Sequence, residues 1–233
     1  MKKIVISGTY CTGKTTLSLA LAIATGIPAT HALTMREILP QLYPGKSLRE
    51  CSYAELITLG MKRFEERIRT ESALPGGFIS DGCTLQEWLY GSTRLITGAY
   101  PDETAWTMWW KKVLNYRGYR DFEKLLGRFE GMAKQYARTH YDQFFHLPVE
   151  FDFVADGHRP TSERFRTESE SRLLQTYEQM GIAPLIVSGA LEQRLTKILE
   201  VLQIDPLYPI DYCIRHAVLQ RREQFDRVHL EAS

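Results

Sequence analysis

The sequence predicts a three-layer α/β fold in which a parallel sheet is covered on both faces by helices. Three observations predict it. Short β-branched or apolar runs, ending near Gly8, Asp81 and Asp156, alternate with longer stretches of helical periodicity. The first run passes through a glycine-bearing turn directly into an amphipathic segment. The intervening segments repeat apolar residues at i, i+3, i+4 and i+7, the period of a helix with one buried face.

Lys3-Ile4-Val5-Ile6-Ser7 has the form of a buried parallel strand. A helix begins near Gly13 or Lys14, since Leu17, Ala20, Leu21 and Ala24 share a face, and it stops before Gly26-Ile27-Pro28. Pro40, Pro44 and Gly45 punctuate the next stretch. Ser47-Leu48-Arg49-Glu50 has a capping-box pattern, and Ile57, Met61, Phe64 and Ile68 continue the helix it opens. Pro75-Gly76-Gly77 closes that helix. Phe78-Ile79-Ser80 is a brief strand leading to Asp81, and a second capping box at Thr84-Leu85-Gln86-Glu87 opens another helix.

Residues 101–147 read as helical and unusually aromatic, with Phe122, Leu125, Leu126, Phe129, Met132, Ala133 and Tyr136 at helical spacing. Val149, Phe151 and Phe153 alternate and lead through Val154-Ala155 to Asp156, a further strand. A helix carrying Leu173, Leu174, Tyr177 and Met180 follows. Pro184-Leu185-Ile186-Val187 is the last strand, and Leu191, Leu195, Ile198, Leu199 and Leu202 mark the helix after it. The expected organisation is one domain over 1–204, with a helical aromatic insertion at about 100–147 and a lid at about 157–167. A helical tail over 205–233 follows, its Arg215, Arg221, Arg222 and Arg227 read as a solvated face.

The 44% of hydrophobic and 24% of charged residues are ordinary globular composition, sufficient for a packed core. A formal net charge of +1 gives no overall field toward nucleic acid or an anionic membrane, so neither is expected as a partner. Cys11, Cys51, Cys83 and Cys213 form no CxxC pair, which suggests reduced thiols rather than zinc ligands or a disulfide framework. The amino terminus is too short in apolar residues for a signal-peptide core, and no run approaches a membrane span. A cytoplasmic location is expected.

Gly8-Thr9-Tyr10-Cys11-Thr12-Gly13-Lys14-Thr15 matches G-x-x-x-x-G-K-[ST] at every fixed position, between a strand and a helix. Glycines let the backbone curl so that successive N–H groups converge on phosphate oxygens, and the helix amino terminus adds partial positive charge. Lys14 is placed for the β- and γ-phosphates and the Thr15 hydroxyl for Mg²⁺, so ATP and Mg²⁺ are the expected cofactors. Thr16 completes the nucleotide-contacting set. No Asn/Thr-Lys-x-Asp or Asp-x-x-Gly motif occurs, which argues against a Ras-type GTPase. Asp81 and Asp156 are each followed by Gly rather than Glu, which argues against a mechanical ATPase.

Asp81, ending a strand, is a candidate for the metal, for the acceptor hydroxyl, or for capping the next helix. Arg159, Arg164 and Arg166 suit a lid that neutralises charge during phosphoryl transfer, although the last two also fit exposed positions in a first helical turn. Asp156 is expected to orient Arg159, to touch substrate, or to serve as a structural partner. Arg36, beside Glu37, is a candidate acceptor contact. Arg194, after the last strand, is placed either to stack on adenine or in an i,i+4 surface role. Trp106, Trp109 and Trp110 share one helical face, which fits core packing or a flat surface for a planar acceptor.

With these residues in view, the chain resembles the P-loop nucleoside and nucleotide kinase superfamily. Within it, it looks most similar to ATPase/kinase domains like bacterial nicotinamide riboside kinase. The resemblance covers roughly residues 1–200 and rests on Gly8 to Thr16, Ser80-Asp81-Gly82, Asp156-Gly157-His158-Arg159, and Val187-Ser188-Gly189 with Glu192-Gln193-Arg194. It implies phosphate and magnesium contacts for Lys14 and Thr15, metal or acceptor duty for Asp81, and lid duty for Arg159. Gly82 stands where such kinases commonly have arginine. The expected activity is transfer of the γ-phosphoryl group to a hydroxyl of a nucleoside-like or other ring-bearing small molecule. The alternative is an NTP-hydrolysing regulatory switch. A homo-oligomer is left open.

Overall fold

The computed structural model describes residues 2–97, 104–150 and 163–231. Among these, five parallel strands form one sheet in the order β2-β3-β1-β4-β5. They are β1 (Lys3–Gly8), β2 (Ala29–Thr30), β3 (Phe78–Asp81), β4 (Gln143–Leu147) and β5 (Leu185–Ile186). Central β1 pairs Lys3 with Phe78 on one side and Ile4 with Gln143 on the other.

Alternation along the strands builds the three layers. Val5, Phe78 and Phe144 face one cluster, formed with α3 (Tyr53–Ser72), α4 (Thr84–Thr97), α6 (Tyr116–His140) and α7 (Glu163–Met180). Ile4, Ile6, Ile79 and Phe145 face the other, formed with α1 (Lys14–Thr25), α8 (Leu191–Leu202) and α9 (Ile210–Glu231). A strand buried on both faces has no solvent-facing alternate, which is why Ile4-Val5-Ile6 reads as a continuous apolar run.

Several expectations need correcting. The predicted helical span 101–147 contains β4, because α6 ends at His140 and the chain turns back into the sheet. Of the strand expected from Val149 to Asp156, Val149 lies outside any strand and the residues from 151 fall outside the described residues. The Ser47 box caps a single 3-10 turn, Leu48–Glu50; the long helix α3 starts at Tyr53, capped by Ser52 with Glu55. A helix α2 (Met35–Leu42) forms despite Pro40, anchored by a Thr34/Glu37 capping box. Helix α4 is entered through Cys83, whose N–H donates to Gln86 Oε1 at 2.8 Å, while the Thr84 hydroxyl instead donates to the Ala133 carbonyl at 2.9 Å.

The C-terminal helix is more than a solvated appendage. Cys213 and Ala217 of α9 are fully buried in the cluster that holds α1, although Arg215 on its outer face is exposed. Helix α5 (Ala105–Leu114) packs against α6. Its Trp106, Trp109 and Trp110 are 66%, 51% and 41% exposed, so the core reading of this stripe fails. Among the described residues, no helix is long and apolar enough to cross a membrane.

Candidate functional site

The turn from β1 to α1 takes backbone conformations that most residues avoid. Gly8 has φ 145°, and a Cβ there would stand 2.7 Å from both the Leu147 carbonyl and the Thr12 hydroxyl. Only glycine fits. Cys11 holds φ 60° without being glycine, and Gly13 turns left-handed at the start of α1. The resulting loop wraps over the amino end of α1, the geometry in which main-chain N–H groups form an anion-binding nest.

Side chains engage the carbonyls of this loop. Lys14 Nζ donates to the Thr9 carbonyl, the Thr12 hydroxyl donates to the same carbonyl at 3.1 Å, and Gln86 Nε2 donates to the Gly8 carbonyl. Arg194 Nη1 donates to the Thr12 carbonyl at 2.7 Å, and its Nη2 reaches Glu150 Oε2 at 2.7 Å. Glu150 also accepts from the Gly189 N–H at 2.9 Å. Arg194 is 3% exposed, so the surface role considered for it is excluded. Its guanidinium braces the loop.

Beyond the loop, the Thr15 hydroxyl donates to Asp81 Oδ2 at 2.7 Å, and His31 Nδ1 lies 3.0 Å from the same oxygen. Burial alone would raise the Asp81 carboxyl. The hydrogen bond and charge of His31, the charge of Lys14 and the Thr15 hydroxyl override it and hold Asp81 well below the usual carboxylate range. Asp81 thus sits ionised beside the first turn of α1, rather than capping α4.

An arginine from another element, Arg67 of α3, lies beside Gly82. Gly82 has φ 86°, and a Cβ there would stand 3.4 Å from Arg67 Nη2. Arg67, 2% exposed, donates to the Asp81 carbonyl (3.2 Å), to Ser80 Oγ (2.9 Å) and to Glu87 Oε1 (2.7 Å). Glu87 also meets Arg63 Nε at 2.6 Å, and Ser80 donates to Glu71 at 2.6 Å. A buried charge network thus fixes the end of β3. Under the loop, Ser7 Oγ bonds Tyr177 OH at 2.6 Å and His146 Nδ1 at 3.2 Å.

Other expected residues distribute as follows. Arg166, in the first turn of α7, is buried and pairs with Glu163 at 3.2 Å, whereas Arg164 is exposed. Asp156, Arg159 and the side chain of Arg36 lie outside the described residues, as does most of the expected lid. The Glu37 carboxylate is used in capping α2. The ring contacts of Trp106 and Trp109 among the described residues are with one another and with Trp110. The structure instead brings rings to the loop through Tyr10, which stacks on Tyr90 at 4.4 Å and lies 5.9 Å from Phe165. Tyr10 was expected only as a nucleotide contact.

His31, Glu150, Gln86 and Arg67 were not anticipated as site residues. Gln86 alone carried a signal, three positions after Cys83 at the start of a helix.

The donor set suits magnesium. Thr15 Oγ1 and Asp81 Oδ2 are hard oxygen donors 2.7 Å apart, one of them an ionised carboxylate, as an octahedral cation with retained waters requires.

A family profile described as an AAA domain matches residues 3–194. Two solved structures share the fold. The NadR protein in complex with NR aligns at a TM-score of 0.57 with 18% identity over 89% of this chain and 54% of that one. Deoxyadenosine kinase from M. mycoides, with dCMP and a flexible dCDP bound, aligns at 0.51 with 14% identity over 86% of this chain and 98% of that one. The chain spans about half the length of the NadR protein. A comparison with curated protein sequences finds no match.

Proposed function

The chain belongs to this AAA-domain family, and from that premise we propose that it transfers the γ-phosphoryl group of Mg²⁺-ATP to a hydroxyl of a small, ring-bearing acceptor. The observation that carries this reading is Asp81, bonded on one side to Thr15 of the phosphate loop and on the other to His31 at the end of β2. One carboxylate thereby joins the nucleotide side to a second, open side where an acceptor can approach.

Phosphoryl transfer asks little covalent chemistry of a protein and much positioning. Gly8 to Thr16 would hold the polyphosphate, and Lys14 would exchange the Thr9 carbonyl for phosphate oxygens. A carboxylate as acidic as Asp81 is a poor proton acceptor near neutral pH, so metal duty suits it better than general-base duty. Thr15 and Asp81 would hold Mg²⁺, directly or through its waters, and the ion would neutralise charge on the phosphate oxygens. Arg166 and Arg159 are proposed to stabilise the transferring group, with Asp156 and Arg36 toward the acceptor. The near-parallel, solvent-facing rings of Trp106 and Trp109 offer a stacking surface for a planar acceptor. Of the two solved structures that share the fold, one holds NR and the other dCMP and dCDP, which supports a ring-bearing acceptor.

The AAA description favours a second reading, NTP hydrolysis that signals to a partner. One assay separates them. ATP consumption is followed with magnesium, with and without a panel of nucleosides and related metabolites. Turnover that starts only with a panel member supports the kinase. Equal turnover without any acceptor overturns it in favour of the hydrolase.

A further inference from the structure

An anion nest works only if its N–H groups point inward, and that requires the loop's carbonyls to point outward and be satisfied there. Lys14 Nζ donates to the Thr9 carbonyl, a contact that its expected move to phosphate would dissolve. Two other outward carbonyls are engaged by side chains that have no such second task. Gln86 Nε2 takes the Gly8 carbonyl, and Arg194 Nη1 takes the Thr12 carbonyl.

These two side chains come from opposite layers. Gln86 projects from the first turn of α4, its Oε1 locked by the Cys83 N–H. Arg194 projects from the first turn of α8, its second nitrogen locked by Glu150, which is in turn fixed by the Gly189 N–H. Helices α4 and α8 pack into different clusters on the two faces of the sheet. The loop is therefore gripped at both ends from both sides.

Packing alone does not account for Arg194. A buried guanidinium carries a large desolvation penalty, and an apolar side chain would fill the space with less. Its counter-ion Glu150 is 28% exposed while Arg194 is nearly sealed, so the cationic end is the deep one, against the loop. That arrangement suits a loop built to receive several negative charges.

We propose that Gln86 and Arg194 are positioning residues that hold the phosphate nest open by drawing the Gly8 and Thr12 carbonyls outward, with Arg194 adding positive potential beneath it. The proposal rests on the nucleotide-binding reading above.

The test is calorimetric titration of each variant with Mg²⁺-ATP, paired with its melting temperature. Arg194→Gln and Gln86→Met should each weaken binding at least about tenfold, and Arg194→Lys should recover part of the loss because it restores charge and a donor. Leu199→Ala, a buried α8 residue away from the loop, should lower the melting temperature and leave ATP affinity unchanged. Arg194→Gln binding within about twofold of the parent overturns the proposal. So does Leu199→Ala weakening binding as much as Arg194→Gln, or Arg194→Lys behaving no better than Arg194→Gln. A parent chain that binds no triphosphate removes the nucleotide reading itself, a distinct result.

Discussion

The Thr15 hydroxyl lies 2.7 Å from Asp81 Oδ2, joining the first turn of α1 to the end of β3. The two residues are far apart in sequence, and the pairing of β1 with β3 brings them together: Ile6 is in register with Asp81 itself. Asp81→Asn keeps the size of the side chain and removes its charge. Turnover should fall by about 10²–10³-fold, the usual cost of deleting one charge-stabilising group, and higher magnesium should recover part of it. Unchanged magnesium dependence would return Asp81 to a purely structural role.

Lys14→Ala should reduce turnover to background while leaving the melting temperature close to that of the parent. Its Nζ donates to the part-buried Thr9 carbonyl, which the Thr12 hydroxyl also engages. Circular dichroism melting beside the turnover assay checks both halves, and retained turnover would remove the phosphate-loop assignment.

Glu150 links the loop brace to pH. The Gly189 N–H first, and then Arg194, hold its carboxyl below the ordinary glutamate range. The folded-state value is therefore the depressed one. Its contribution is complete above the unfolded value of about 4.3 and is lost as pH falls below it toward the folded value. The melting-temperature gap between parent and Glu150→Gln should be constant from about pH 6 to 8 and shrink below about pH 4. A gap that stays constant into acid would show that the charge is not what matters.

Arg67→Ala would take a guanidinium away from the buried Glu87 and Glu71 carboxylates, leaving Glu87 to Arg63 and Glu71 to neutral donors such as Ser80. Breaking one side of a buried charge network costs about 3–5 kcal/mol. At about 2–4 °C per kcal/mol for a chain of this size, melting should drop by roughly 10 °C. A drop of only a degree or two would mean that water reaches these carboxylates.

Trp106→Ser with Trp109→Ser should leave melting nearly unchanged, since exposed substitutions usually cost less than about 0.5 kcal/mol. If these rings stack on the acceptor, the KM for that acceptor should rise about 2- to 10-fold. A large stability loss would restore the core reading, and an unmoved KM would remove the acceptor role.

The parts of the site that depend on neighbours in sequence are legible in the sequence alone. The spacing from Gly8 to Thr15 announces the loop because the backbone conformation needed at Gly8 excludes other residues. The stripe Leu17, Ala20, Leu21, Ala24 announces α1, and all four are buried. The parts that depend on residues distant in sequence were not. His31 meets Asp81 only because β2, two residues long and without a pattern of its own, delivers it to the sheet edge. Strand β4 was hidden because Phe144, Phe145 and Leu147 follow the α6 stripe so closely that a change of period cannot be seen. The Trp stripe misled because three aromatic residues at helical spacing look alike whether they face a core or solvent.

The central position of β1 carries a consequence for how the protein comes into being. Its two neighbours are β3 and β4, so the first strand of the chain waits for partners that begin at Phe78 and Gln143. Such long-range pairings make folding slow, because loop entropy is lost before any contact repays it. A growing chain that has not reached Leu147 lacks one wall of the Gly8 turn. The proposed phosphate loop should therefore take its shape only once Leu147 has been made, and a ligand bound there would act as a seal on the finished sheet.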